Sequence, residues 1–145
     1  MAEQVSERIR VDAPPPRCYE VATDYERYPE WAKDVKQAEI LERDAEGRGA
    51  KVEYRAAAFG RSTRYVLQYD YTAAPAAFSW TLVEGEMVRA IDGTYRFDAD
   101  GDGTRVSYDL AIDPSIPLPG FLKRRTAGMI VSTALKELKK EVETA

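Results

Sequence analysis

Residues 88–113 read VRAIDGTYRFDADGDGTRVSYDLAID, two alternating runs joined by Asp100-Gly101-Asp102-Gly103. Ile91, Gly93, Tyr95 and Phe97 share one parity of the first run, and Val106, Tyr108, Leu110 and Ile112 share one parity of the second. A period of two marks a strand with one buried face, and Asp-Gly is favoured hairpin chemistry. Strands are therefore predicted at Val88 to Asp98 and Thr104 to Asp113, adjacent and antiparallel. The same stretch matches the spacing of an EF-hand calcium loop, with Asp98, Asp100, Asp102, Gly103 and Asp109 at the first, third, fifth, sixth and twelfth places. An EF-hand needs a helix on each side, and these flanks alternate as strands. Its eighth place is Arg105 rather than an apolar residue. The hairpin is the better reading.

Upstream, the same period recurs in Val35 to Arg43, Ala50 to Ala58, Ser62 to Thr72 and Phe78 to Val83. Turn chemistry separates these runs at Glu46-Gly47-Arg48-Gly49, Phe59-Gly60, Ala74-Pro75 and Glu84-Gly85-Glu86. Connections this short leave no room for parallel crossovers, so the strands form a meander. Gln4 to Asp12 adds a seventh strand. Pro14, Pro15 and Pro16 break it and supply the first turn of a short helix through Arg17 to Thr23. Asp24 to Trp31 reads as a second short helical turn, interrupted at Pro29.

Downstream, Pro114, Pro117 and Pro119 end the sheet pattern. Phe121 to Glu143 contains no proline, and Val131, Leu135, Leu138 and Val142 recur at helical spacing. This is one amphipathic helix, roughly 35 Å long at 1.5 Å per residue. A sheet needs its apolar face covered, and the terminal helix alone has the length to do it. The expected fold is α+β: a curved seven-stranded antiparallel sheet wrapped around a long C-terminal helix, with two short helices after strand one. Residues 1–145 are expected to form one domain.

Composition narrows function by exclusion. Apolar residues make up 44% and charged residues 32%, an ordinary globular balance. The formal charge is −4 and no long basic run occurs, which argues against nucleic acid as a partner. There is no histidine, and Cys18 is the only cysteine. Histidine-dependent nucleophile systems, thiolate zinc cages and an intrachain disulfide are thereby excluded, and no metal or cofactor is implied. No segment approaches ~18 consecutive apolar residues and no apolar signal core opens the chain, so a cytoplasmic location is expected.

Ala13-Pro14-Pro15 after strand one, Asp24 followed by Tyr28-Pro29-x-Trp31, and Gly93-x-Tyr95-x-Phe97 form an ordered set. Gly103-Thr104-Arg105-Val106 and the proline-rich approach to the helix complete it. In this set the chain resembles the START/Bet v 1-like (SRPBCC) superfamily, and within it the bacterial polyketide cyclase/dehydrase and lipid-transport branch. The resemblance spans nearly the whole chain and implies the helix-grip fold. It implies no single activity, because that branch includes carriers, quinone-binding proteins and polyketide aromatase/cyclases.

Parity names the inner face, and that face is rich in tyrosine. A closed core prefers side chains without polar atoms, whereas buried phenols need hydrogen-bond partners. A mostly apolar cavity with a few polar tips meets that need. The strand candidates for ligand contact are Tyr54, Tyr65, Leu67, Tyr69, Trp80, Arg89, Ile91, Tyr95 and Tyr108; the helix adds Phe121, Val131 and Leu135. The small residues Ala127, Gly128 and Ala134 leave space on the helix. A closed core made of the same residues is the alternative.

Arg89 shares parity with Ile91, which aims it inward as an anchor for a ligand oxygen; the other reading is a rim arginine paired with Glu84 or Glu86. Similarity to the aromatase/cyclases, in which an inward arginine positions substrate, supports the anchor. Asp24, Tyr28 and Trp31 suit packing and capping, with Trp31, Ile116 and Leu118 as gate candidates. The 114–125 segment, ending in Lys123-Arg124-Arg125, is open between a tucked loop and a surface for transient membrane or protein contact. Monomer and homodimer are both open. The expected function is binding, sequestration or transport of a hydrophobic small molecule such as a lipid, quinone or polyketide. The alternative is an aromatase/cyclase or dehydratase acting in the same cavity. Without histidine, and with no inward carboxylate in the strand alternation, catalysis is the second reading.

Overall fold

The computed structural model describes residues 3–58 and 61–144. In order, the elements are β1 (Glu3–Val11), α1 (Pro15–Ala22), a 3-10 turn (Tyr25–Arg27) and α2 (Tyr28–Trp31). Then follow β2 (Val35–Arg43), β3 (Gly49–Ala58), β4 (Arg61–Asp70), β5 (Ala77–Gly85), β6 (Val88–Asp100), β7 (Gly103–Pro114) and α3 (Gly120–Thr144). Among the described residues seven strands form one sheet in the order β1-β7-β6-β5-β4-β3-β2, and every pair is antiparallel. The expected helix-grip fold is thus the observed one. The predicted Phe59-Gly60 turn lies outside the described residues.

The β6–β7 hairpin forms as expected. Asp100 pairs with Gly103, and Gly101 takes φ 64°, a left-handed conformation that glycine adopts without steric cost. The EF-hand spacing is therefore carried by two strands and a turn. After β7, Ala127, Val131, Leu135, Leu138 and Val142 are all buried, and α3 packs chiefly on β1 and β7. Polar ties fasten its last turns: Glu143 accepts from the Asp12 N–H at 2.8 Å, and Lys139 donates to the Arg10 carbonyl at 2.8 Å.

Two local expectations need correction. Pro29 does not interrupt a helical turn; it occupies the first turn of α2, where its missing N–H costs nothing. Asp24 precedes the 3-10 turn but makes no side-chain capping bond. The polyproline run behaves as expected, with Pro14 at the N-cap of α1 and proline within its first turn.

One glycine is fixed by contact. Gly93 lies opposite Trp80 across β5 and β6, and a Cβ there would collide with the indole. Trp80 is buried and packed between Tyr69 and Tyr95, so it cannot give way freely. Gly93→Ala is expected to cost about 1–3 kcal/mol and lower the thermal midpoint by roughly 5–10 °C. An unchanged midpoint in a calorimetric scan would show that Trp80 has room to move.

An aromatic cavity between the helix and the sheet

The concave side of the sheet and α3 do not interlock throughout. Between them lies a cavity of about 200 Å³ lined mostly by apolar and aromatic side chains. For comparison, an engineered cavity of about 150 Å³ in another protein admits benzene. The exposed members of the lining are Asp34, Ala57 and Glu86, which places the mouth between the loop after α2 and the β5–β6 turn.

Alternation brings Tyr54 on β3, Tyr65, Leu67 and Tyr69 on β4, and Trp80 on β5 to the cavity wall. Ile91 and Tyr95 on β6 and Tyr108 on β7 join them, and Trp31 stands at the end of α2. Nine of the predicted residues are thus brought together at the cavity wall. Two phenol pairs are satisfied internally: Tyr54 with Tyr69 at 2.6 Å, and Tyr25 with Tyr71 at 2.7 Å. Tyr71 also donates to the Gly49 carbonyl, and Tyr28 donates to the Ala22 carbonyl. The hydroxyls of Tyr65, Tyr95 and Tyr108 receive no hydrogen bond from any described residue. Burial pushes the phenol pKa up across the wall, to about 12 at Tyr65 and well above the ordinary value at Tyr28, Tyr54, Tyr69, Tyr95 and Tyr108.

Six predicted residues stand elsewhere. Val88 pairs with Pro114 and Ala90 with Asp113, so two steps along β6 match one along β7. This bulge breaks the alternation between Val88 and Ile91, both buried, and turns Arg89 outward with 64% of its side chain exposed. Arg89 instead lies 3.7 Å from Asp113 and donates to the Pro114 carbonyl at 3.4 Å. Its partner is neither Glu84 nor Glu86, and Glu84 faces Arg64 at 3.4 Å. Phe121 is 71% exposed on the first turn of α3. Val131 and Leu135 are buried in the helix–sheet core beside the cavity rather than on its wall. Ile116 and Leu118 are half-buried in the loop before α3 and do not reach the lining.

Strand parity missed the contribution of the helix. Ile130, Thr133, Ala134 and Glu137 form the stripe of α3 that faces the cavity. Their spacing of three and four is helical, but the stripe is mixed in polarity, so an apolar-period reading selects the neighbouring Val131-Leu135-Leu138 stripe. Of the small residues expected to leave space, Ala134 does so. Glu137 supplies the inward carboxylate that the strands lack, and it accepts the Lys33 backbone N–H at 3.1 Å. Asp34 and Glu86 are the other carboxylates of the lining, and no lysine or arginine is among its residues. Thr63 turns its hydroxyl to the Glu86 carbonyl at 2.7 Å. Cys18 is buried outside the cavity, and burial pushes its thiol pKa up, away from nucleophilic reactivity.

A curved antiparallel sheet gripping one long helix around an aromatic cavity defines the helix-grip fold. The chain belongs to the polyketide cyclase/dehydrase and lipid-transport family, whose match runs over residues 2–143. It is similar to a START superfamily protein from Mycobacterium smegmatis, with 24% identity, 97% of each chain covered and a TM-score of 0.91. A protein from Thermus thermophilus shares 27% identity over 98% of each chain, with a TM-score of 0.82. The Zhui aromatase/cyclase from a Streptomyces species is 18% identical over 99% of this chain and 94% of its own, with a TM-score of 0.81. No curated protein matches the sequence. Among the described residues no helix is long and apolar enough to cross a membrane.

Proposed function

We propose that the protein binds a hydrophobic small molecule inside this cavity and sequesters or carries it. The observation that supports the reading is the wall itself: contiguous aromatic surface interrupted by phenols whose hydroxyls have no partner among the described residues. A closed core has no use for such groups, because an unpaired buried polar atom costs free energy. Ligand affinity then comes mainly from apolar area removed from water, at roughly 25 cal/mol per Å². Native mass spectrometry of protein purified from its own host is expected to show a complex heavier than the chain by the mass of one small apolar molecule. A bare chain that also fails to take up added hydrophobic ligands contradicts the reading.

A second reading, cyclisation or dehydration of a bound polyketide-like chain, draws on one observation. Glu137 on α3 and Tyr95 on β6 both line the cavity, which gives it a carboxylate as well as phenols. A carboxylate and a phenol on the wall of one cavity can serve a bound chain as proton acceptor and donor for enolisation. Turnover of a poly-β-keto substrate, lost in Glu137→Gln, is the result that favours this reading over simple carriage.

A further inference from the structure

The polar groups of the cavity discriminate among hydrophobic ligands. Tyr95 and Tyr108 face one another across β6 and β7, with ring centroids 4.7 Å apart. They are only 6% and 8% exposed, both line the cavity, and neither hydroxyl has a partner among the described residues. By contrast, the Tyr54 and Tyr69 hydroxyls are spent on each other. A neighbouring pair of phenols without protein partners presents two O–H donors to one region of the cavity, suited to a ligand carbonyl. Glu137, on the facing helix, is an acceptor and suits a ligand O–H or N–H.

The charges point the same way. The lining contains carboxylates at Asp34, Glu86 and Glu137 and no cationic side chain. A fatty-acid anion would bring its charge into a wall without a counterion, which is costly in a low-dielectric site. From this juxtaposition we infer that the cavity selects a neutral ligand bearing a carbonyl and a hydrogen-bond donor, held by Tyr95 and Tyr108 at the carbonyl and by Glu137 at the donor. Long-chain carboxylates are disfavoured by Asp34, Glu86 and Glu137 in a lining without a cationic side chain. The inference rests on the ligand-binding reading above and names the ligand class for that site.

Three probes separate the two claims. 5-Hydroxy-1-tetralone carries one carbonyl and one hydroxyl on two fused rings, tetralin has nearly the same shape without oxygen, and decanoate is an apolar anion. Both tryptophans, Trp31 and Trp80, line the cavity, so their fluorescence reports occupancy. Wild type is expected to bind the tetralone more tightly than tetralin and decanoate least. Tyr95→Phe and Tyr108→Phe are each expected to weaken the tetralone by roughly three- to tenfold, the worth of one net hydrogen bond. Tetralin affinity stays unchanged in both, which also certifies that the variants are folded. Glu137→Gln is expected to improve decanoate binding roughly fivefold or more by removing the like charge. Equal affinity for tetralone and tetralin, unaffected by the variants, overturns the ligand class while leaving the binding site standing. Tight decanoate binding by wild type overturns it too. Failure of wild type to bind any of the three overturns both the ligand class and the binding reading.

Discussion

Raising the pH from 9 to 11 is expected to unfold the protein, with tyrosine ionisation and loss of structure occurring in one transition. In the fold, Tyr28, Tyr54, Tyr69, Tyr95 and Tyr108 are held neutral by burial, with pKa values well above the ordinary 10. The folded state therefore favours the protonated phenol. Its contribution is fully present below the unfolded pKa and is lost as pH rises from there towards the folded one. Each such tyrosine therefore loses its contribution as pH rises past the unfolded pKa near 10, and all five act in the same direction. Native stability is only about 5–15 kcal/mol, so several concerted losses of this sign favour unfolding. Tyrosinate absorbance near 295 nm and far-UV circular dichroism, followed on one titration, should change together and more steeply than a single-proton curve. Independent ionisation of all nine tyrosines near pH 10 with the dichroism intact contradicts the enclosed wall.

The second large effect is expected on filling the cavity from the helix side. Ala134 is half-buried on the lining stripe of α3, beside the open volume of the cavity. Ala134→Phe places a ring in that space, and binding of 5-hydroxy-1-tetralone and tetralin is expected to fall below detection. The thermal midpoint should hold or rise, because a newly buried ring adds up to about 1.5–3 kcal/mol. Met129→Phe, on the exposed face of the same helix, leaves binding as it was. A packed core responds oppositely: forcing a ring into it costs about 1–3 kcal/mol or more, and the midpoint falls. The direction of the shift in Ala134→Phe therefore separates a cavity from a core.

Sheet, topology and terminal helix were legible because alternation is a strict period and the connections are short. Tyr54, Tyr65, Tyr69, Tyr95 and Tyr108 could be placed on one face by parity alone. Arg89 could not, because a bulge of one residue flips every side chain beyond it, and nothing in Met87-Val88-Arg89-Ala90 announces the bulge. The helical wall was obscured for another reason. The core stripe of α3 is apolar and periodic, whereas the stripe facing the cavity mixes Ile130, Thr133, Ala134 and Glu137 as a binding surface does. The polar residues that carry a site's chemistry weaken the pattern by which its face is found. Glu137 in particular looks like one more exposed charge until the helix is set against the sheet.

Ligand binding and the Ala134→Phe effect depend on vacant apolar volume enclosed by α3, Trp80 and the tyrosine rows. X-ray diffraction from crystals held under xenon pressure examines that volume directly, since xenon enters apolar cavities without any specific chemistry. The account predicts xenon density bounded by Trp80, Leu110 and Ala134. Crystals that show side chains of α3 in van der Waals contact with those of the sheet, and no xenon between them, contradict it.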